Sequence, residues 1–95
     1  MNKQQTIETI STYLRQYPVE RVSLFGSFAR NQDSTDSDID LLIHFNETID
    51  FFTLANIRLD LCELTKRQID ILTEKSLSET FRKRIQADLQ IIYQA

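Results

Sequence analysis

The chain has 95 residues, of which 41% are hydrophobic and 26% are charged. This balance is typical of a soluble globular chain and argues against a disordered or collagen-like one. Eleven Lys and Arg against fourteen Asp and Glu give a formal net charge of -3, so direct non-specific binding to nucleic acid is not expected. A chain of this length holds one domain with a modest core, and residues 1–95 are predicted to form it.

An amphipathic helix followed by a strand is predicted at the start of the chain. Apolar residues at positions 7, 10, 14 and 17 lie three or four apart, which predicts a helix over residues 3–17 that ends before Pro18. Residues 20–25 are rich in β-branched and aromatic side chains, and they predict a short strand that runs directly into Gly26.

A polar segment then leads to a second strand. Residues 28–31 fit one helical turn, and residues 32–37 are six consecutive polar residues of the kind that favours a solvent-facing loop. In residues 38–45, every second side chain from position 39 onwards is large and apolar, as a strand with one buried face requires. The opposite face then carries Asp38 and Asp40.

The rest of the chain predicts helix, strand and helix. Asp50 is the expected N-cap of a helix whose apolar stripe lies at positions 54, 57, 61 and 64. Residues 67–72 predict a third strand with Asp70 on the face opposite to its apolar side chains. Residues 76–79 match a capping box and predict a last helix, with its apolar side at positions 81, 85, 89 and 92 and a terminal strand as the alternative for 91–93.

This order of elements predicts an α/β fold of the α+β type, a small mixed β-sheet flanked by helices. The one cysteine, Cys62, cannot form an intramolecular disulfide, and a single histidine leaves no plausible Cys/His zinc site. Residues 1–5 are polar, and no segment approaches the roughly 18 apolar residues that span a bilayer. We therefore expect a cytoplasmic protein that has no membrane association.

Three carboxylates on predicted strands are candidate metal ligands. Asp38 and Asp40 are two residues apart, so both project from one face with Cα atoms about 6.6 Å apart. If the strand of Asp70 lies beside theirs, three anions converge on one patch and repel one another unless a cation neutralises them. Magnesium favours such oxygen ligands. The alternative is that these acids only mark the solvated face of edge strands.

Gly26, the only glycine, follows the first strand directly and precedes Ser27. A glycine at this point lets the backbone approach a ligand closely and directs N–H groups and the serine hydroxyl towards a phosphate. An ordinary strand-to-helix turn also favours Gly-Ser, and it stands as the alternative.

The combined pattern resembles a known family. Gly26 and Ser27, then ten residues, then Asp38 and Asp40 resemble the signature of the DNA polymerase β-like nucleotidyltransferase superfamily, most closely its minimal nucleotidyltransferase (MNT) branch. Further similarity at 26–30, 37–43, 66–72 and the closing helix extends the resemblance over nearly the whole chain. It implies the polymerase β-like nucleotidyltransferase fold. Asn31 departs from the family's pattern, in which many members have a second glycine.

The resemblance also implies a two-part site. The carboxylates would be catalytic and would bind Mg²⁺, and the third would help to activate the attacking hydroxyl. The segment around the glycine would hold a nucleoside triphosphate, ATP in this branch, although Arg30 could instead form an ion pair with a loop acid. The catalytic and metal-binding set is Asp38, Asp40 and Asp70, and the nucleotide-binding set is Gly26, Ser27, Arg30 and Ser37.

The MNT branch further implies a partner and a reaction. Its members typically act as antitoxins towards a HEPN-domain toxin with ribonuclease activity, and they transfer AMP from ATP to a tyrosine of that toxin. The resemblance therefore implies a magnesium-dependent protein adenylyltransferase, a type VII-like antitoxin that forms a hetero-oligomer with its cognate HEPN toxin. A chain of 95 residues leaves little length for a separate acceptor domain, which fits an acceptor held by another protein.

Two other functions are compatible with the sequence. One is an antitoxin that neutralises its partner by binding alone; the other is nucleotidyl transfer to a small molecule or an RNA. The basic residues at positions 75 and 82–84 give the last helix a local positive charge, which fits either a solvated face or a docking surface for a partner or an RNA tail.

Overall fold

The structure is a computed structural model that describes residues 1–30 and 38–95. Within these residues, four strands form one sheet: β1 (Val19–Phe25), β2 (Ile39–Phe45), β3 (Ile69–Thr73) and β4 (Gln90–Gln94). They lie in the order β3-β2-β1-β4. β1 pairs antiparallel with β2 and β4, whereas β2 and β3 run parallel. The predicted mixed sheet is confirmed.

Helices flank this sheet, as the α+β prediction requires. The described residues contain four: α1 (Lys3–Leu14), α2 (Gly26–Ala29), α3 (Phe51–Thr65) and α4 (Glu79–Ile85). Short 3-10 turns at Glu74–Ser76 and Gln86–Asp88 precede and follow α4. Because neighbouring parallel strands need a crossover, α3 fills the connection between β2 and β3. Asp50 caps α3 as predicted, its carboxylate accepting the Thr53 N–H at 2.8 Å.

The main core lies between one face of the sheet and the helices α1 and α3. The alternating apolar side chains of β2 point into it, as the sequence predicts. Phe28 of α2 joins the same core. Its buried members are Ile10, Leu14, Val19, Val22, Leu24, Phe28, Ile39, Leu41, Ile43, Ile57, Leu61 and Ile69.

A second, smaller apolar cluster covers part of the opposite face. Phe25, Leu42 and Ile85 are its buried residues, and the Phe25 and Phe81 rings meet edge to face with centroids 6.2 Å apart. On this face of the second strand, the sequence prediction named only the acids Asp38 and Asp40. That prediction was incomplete, because α4 packs on the face that also carries Asp40.

Two helices differ from their predicted extents or stripes. α1 ends at Leu14 rather than at residue 17, and the Tyr17 N–H donates to the Leu14 carbonyl in a turn. A residue before proline is disfavoured in helical conformation, which accounts for Tyr17 lying outside the helix. Leu64 is 44% exposed rather than part of the buried stripe. Thr65 is buried in its place and donates its hydroxyl to the Leu61 carbonyl at 2.7 Å.

The last helix also begins later and ends earlier than predicted. Its N-cap is Ser78, which accepts the Phe81 N–H at 3.1 Å, whereas the Ser76 hydroxyl donates to the Thr73 carbonyl. α4 stops at Ile85, and β4 confirms the terminal strand that was the alternative for 91–93. β3 begins at Ile69 rather than at residue 67.

Three other predictions concern a membrane span, the cysteine and the polar loop. No described helix is long and apolar enough to cross a membrane. Cys62 is a free cysteine, half-buried, and it packs against the main core as a small apolar side chain. The predicted loop at 32–37 lies outside the described residues.

Candidate active site

Asp40 and Asp70 lie side by side on the sheet. The parallel register of β2 and β3 pairs them directly, and neighbouring strands lie about 4.8 Å apart. Because side chains alternate along a strand, both acids project from the face opposite to Ile39 and Ile69, which are buried in the main core. The structure therefore brings these two predicted site residues together, although they are far apart in the sequence.

Asp38 acts on the same site through its charge. It immediately precedes β2, it is exposed, and it lies two residues before Asp40. Its negative charge acts on Asp40, together with that of Asp70. All three predicted carboxylates therefore share one electrostatic environment.

The pKa of Asp40 is raised. Burial is the largest cause, and the charges of Asp70 and Asp38 add to it, whereas the Arg30 guanidinium acts in the opposite direction. The ionised carboxylate is thus disfavoured by its surroundings until a positive charge reaches it. Carboxylates with pKa values perturbed in this way mark candidate functional sites.

The chemistry of these acids fits a magnesium ion that arrives with phosphates. All three offer carboxylate oxygens, the donors that Mg²⁺ prefers. Across residues 1–30 and 38–95, no group of three or more His, Cys, Asp or Glu is close enough together to hold a metal ion, so the structure pairs Asp40 with Asp70 but does not gather all three acids. Mg²⁺ usually keeps waters and binds one or two carboxylates plus substrate phosphates, so an open acidic row suits it.

Gly26 lies directly against Asp40. β1 ends at Phe25, and Gly26 opens α2 with a φ of +77°. A Cβ at this position would overlap the Asp40 carboxylate. Glycine is therefore required here twice, by the backbone conformation and by the close approach. The candidate phosphate-binding segment, which continues into the partly exposed Ser27, thus borders the candidate metal site.

The segment after Gly26 is anchored by cation contacts to a buried ring. The Arg67 guanidinium lies 4.9 Å from the centroid of the Phe28 ring, and the Lys3 ammonium lies 5.7 Å from it. Lys3 also donates to the Ala29 carbonyl at 3.2 Å. These contacts tie α2 to α1 and to the segment that precedes β3, which fixes the position of the backbone beside Asp40.

Arg30 forms an ion pair with Asp88. Its Nη1 donates to Asp88 Oδ2 at 2.8 Å, and the two side chains are 43% and 29% exposed. Pairing with an acid was the predicted alternative role of Arg30, but Asp88 comes from the turn after α4 and had no signal in the sequence. Arg30 also acts electrostatically on Asp40, so it belongs to the edge of the acidic site. Ser37 lies outside the described residues.

Apolar side chains next to the acids were missed by the sequence analysis. Leu42 and Leu72 are paired in register one row beyond Asp40 and Asp70. The i+2 spacing from each acid was the signal that could have revealed them, since residues two apart in a strand share a face. The acidic row therefore adjoins an apolar row.

His44 and the Arg82 side chain of the last helix both lie near Glu74 rather than against the acids. His44 helps to line a cavity of about 110 Å³ together with Glu74 and Lys75, at the opposite end of β2 from Asp40. Arg82 of the last helix pairs with Glu74 at 2.6 Å, and Glu74 also pairs with Arg21 at 3.1 Å. At least Arg82 thus has a structural role, which links α4 to β1.

Comparison with known proteins identifies the family. The family "Polymerase beta, Nucleotidyltransferase" matches residues 8–95. A Methanocaldococcus jannaschii protein, named as a candidate protein adenylyltransferase, is 34% identical over 85 residues and covers 90% of this chain and 91% of its own length. A second protein of that organism with the same kind of name is 35% identical over 74 residues, 77% of this chain and 76% of its own.

Solved structures show the same fold. A candidate minimal nucleotidyltransferase matches with a TM-score of 0.80 and 28% identity, over 95% of both chains. The complex of tri-AMPylated Shewanella oneidensis HEPN toxin with MNT antitoxin matches with a TM-score of 0.80 and 18% identity, over 99% of this chain and 74% of that one. The predicted superfamily is confirmed: the chain belongs to the polymerase β nucleotidyltransferase family and is a nucleotidyltransferase, and a candidate minimal nucleotidyltransferase shares its fold.

Proposed function

We propose that this protein is a magnesium-dependent protein adenylyltransferase that transfers AMP from ATP to a tyrosine of a cognate HEPN toxin and neutralises it. The observation that carries the proposal is one row of the sheet: Gly26 packs against Asp40, and Asp40 is the register neighbour of Asp70. A phosphate-binding segment, a metal ligand and a candidate base thus lie side by side in one domain formed by residues 1–95.

Nucleotide binding is assigned to the Gly26 side of this row. The backbone of Gly26 and Ser27, which are both partly exposed, would contact the β and γ phosphates of ATP, and Arg30 and Ser37 would add charge and a hydroxyl. The carboxylates of Asp38, Asp40 and Asp70 would hold Mg²⁺, which when bound offsets the negative charge of the triphosphate and of the leaving pyrophosphate.

The transfer step is assigned to the Asp70 side. The tyrosine oxygen attacks the α-phosphorus, and a new O–P bond forms as the bond to the oxygen bridging to the β-phosphorus breaks. Pyrophosphate leaves with that electron pair, and the Asp70 carboxylate accepts the proton of the tyrosine hydroxyl. Asp70 is exposed at the edge strand of the sheet, so a hydroxyl carried by another protein can reach it.

The relatives support both the reaction and the partner. Two Methanocaldococcus jannaschii relatives are named as candidate protein adenylyltransferases. The structures that contain a chain of similar fold include a complex of tri-AMPylated HEPN toxin with MNT antitoxin and a toxin–antitoxin complex with AMP-PNP. We extend these properties to this chain, with the cytoplasm as the place where ATP, Mg²⁺ and the toxin meet.

The test is to incubate the protein with a cognate HEPN protein, Mg²⁺ and ATP, and to weigh the HEPN protein by mass spectrometry. We expect one or more AMP adducts on tyrosine with the wild type and none with Asp40→Asn. Asp50→Asn is the matched control, because it makes the same chemical change at an N-cap where asparagine also caps well. Absence of an adduct with the wild type, or equal adducts with Asp40→Asn, would contradict the proposal.

A second candidate function is neutralisation by binding without catalysis. It is favoured by apolar side chains at the start of α3, since Phe51 and Phe52 are each 77% exposed, and exposed apolar patches often mark protein interfaces. This function would be supported if Asp40→Asn still protected cells from the toxin and still formed a stoichiometric complex. Transfer to a small molecule or an RNA would be revealed by labelled ATP and a panel of acceptors.

A further inference from the structure

A shallow apolar depression lies beside the acidic row, at the open edge of the sheet. Its volume is about 310 Å³, and it is lined by Leu72, Ser76, Leu77, Ser78 and Phe81. The apolar walls come from Leu72 of β3, from Leu77 in the segment that leads into α4, and from Phe81 of α4. β3 is an edge strand, so the depression is open to an approaching molecule on that side.

The depression begins at the next position after Asp70 on the same face of β3. Leu72 lies two residues after Asp70 on β3, on the same face, at a distance of about 6.6 Å between Cα atoms. Its register neighbour Leu42 belongs to the small apolar cluster with Phe81. A group lying on Leu72 therefore has the Asp70 carboxylate within the length of one side chain.

The direction of the reaction selects this edge for the acceptor. Across the first row, Gly26 lies on one side of Asp40 and Asp70 lies on the other. In phosphoryl and nucleotidyl transfer, the attacking and leaving oxygens stand roughly in line on opposite sides of the phosphorus. With the leaving pyrophosphate held near Gly26, the attacking oxygen must arrive from the side of Asp70, which is the side of β3 and the depression.

We propose that this depression is the acceptor subsite and that it binds the aromatic ring of a hydroxyl-bearing side chain, a tyrosine, of the partner protein. The ring would lie on Leu72 and Leu77 with Phe81 at its edge, an arrangement that aromatic pairs favour. Its para hydroxyl would then point along β3 to Asp70. A serine or threonine side chain is too short to contact the apolar walls and to reach the Asp70 carboxylate at the same time. This inference rests on the proposed function.

The first test is independent of catalysis. The isotopically labelled protein is titrated with N-acetyl-L-tyrosinamide in the presence of Mg²⁺ and AMP-PNP, and the methyl signals of leucine and isoleucine are followed by NMR. We expect the methyl signals of Leu72 and Leu77 to shift and those of Ile91 to stay. Ile91 is the matched reference, because it lies in the same cross-strand row at the opposite edge and is 55% exposed.

Two results of this titration would overturn the subsite. One is that the methyl signals of Leu72 and Leu77 do not shift, whether or not other methyl signals do. The other is that adenosine monophosphate with Mg²⁺, and not the tyrosine amide, shifts Leu72, which would make the depression a nucleobase site.

The second test uses transfer kinetics. Leu72→Ala is expected to raise the KM for the HEPN acceptor about tenfold, since it removes the burial of one aliphatic side chain, and to leave the KM for ATP unchanged. Ile91→Ala is the control, and thermal unfolding checks that both variants are folded. An unchanged acceptor KM in Leu72→Ala would overturn the subsite. If the wild type transfers no AMP at all, the proposed function fails, whereas the NMR titration still decides whether the depression binds the ring.

Discussion

The backbone of Gly26 and the carboxylate of Asp40 are in direct contact, with no space between them for a side chain at position 26. Gly26 is the only glycine of the chain, and its φ of +77° is a conformation that other residues rarely adopt. The glycine therefore determines where the central carboxylate of the acidic row can lie. The role of Gly26 in folding and its role in the acidic site are therefore physically coupled.

Gly26→Ala is expected to impair both stability and transfer. The left-handed backbone costs about 1–2 kcal/mol for a residue with a Cβ, and the new methyl group must displace the Asp40 carboxylate. Urea unfolding measures the first effect, and the AMP transfer assay measures the second. In an Asp40→Ala background the overlap is absent, so Gly26→Ala should cost less stability there. Equal costs in the two backgrounds would show that the contact is irrelevant.

Asp40→Asn is expected to abolish transfer and to stabilise the free protein. Burial and the charges of Asp70 and Asp38 raise the pKa of Asp40, so the ionised form opposes folding at neutral pH and the neutral amide relieves this. Loss of a metal ligand should reduce transfer about a thousandfold or more. The measurements are Tm without Mg²⁺ and the transfer rate with it. A lower Tm for Asp40→Asn than for the wild type would contradict the electrostatic account.

The faces of the strands could be predicted from the sequence because side-chain direction depends on local spacing. Alternation in residues 39–45 placed Asp40 opposite to Ile39, and the structure agrees. The adjacency of Asp40 and Asp70 could only be stated as a condition, since it depends on which strands pair. That pairing is set by the crossover through α3, which spacing alone does not define.

Features that depend on contacts between distant segments could not be predicted. Arg30 and Asp88 are 58 residues apart, and nothing in either local sequence indicates the other. Leu42 alternates out of phase with the main core, so its burial needs a second layer, which α4 supplies. The N-cap of α4 was misplaced because Ser76 and Ser78 both match capping patterns, and only the 3-10 turn at Glu74–Ser76 shows which serine caps.

Glu74 is expected to stabilise the fold in a pH-dependent way. Burial alone would raise its pKa, but hydrogen bonds from Arg82 and Arg21 outweigh burial and hold the pKa below its usual value of 4.5. A lowered pKa means that the stabilisation is fully present above the pKa of the unfolded chain and is lost as the pH falls through the folded value. The difference in stability between wild type and Glu74→Gln should therefore be largest at neutral pH.

We expect Glu74→Gln to cost about 1–2 kcal/mol at pH 7, because it leaves the two guanidinium groups without their carboxylate. The cost should shrink below about pH 4. Urea unfolding at pH 7 and at pH 3 measures this cost. Glu63→Gln, the same change at an exposed position of α3, serves as the control and should have little effect. A cost that is equal at pH 7 and pH 3 would assign the effect to packing instead.

The ion pair between Arg30 and Asp88 is expected to matter more for nucleotide binding than for stability. Both side chains are partly exposed, and such pairs contribute about 0–1 kcal/mol to folding. Arg30 also acts on Asp40, so its charge reaches the place where the triphosphate is proposed to bind. Arg30→Gln should therefore weaken AMP-PNP binding about tenfold through loss of a charged hydrogen bond.

Isothermal titration with AMP-PNP and Mg²⁺, together with urea unfolding, separates the two roles of Arg30. Asp88→Asn removes the same ion pair but keeps the guanidinium, so it should leave stability within about 1 kcal/mol of the wild type and weaken binding less than Arg30→Gln does. Arg84→Gln repeats the arginine change at an exposed position of α4 and controls for net charge. If Arg30→Gln and Arg84→Gln weaken AMP-PNP binding equally, Arg30 acts only through the overall charge of the protein. If Arg30→Gln lowers stability without changing the affinity for AMP-PNP, Arg30 contributes to folding alone.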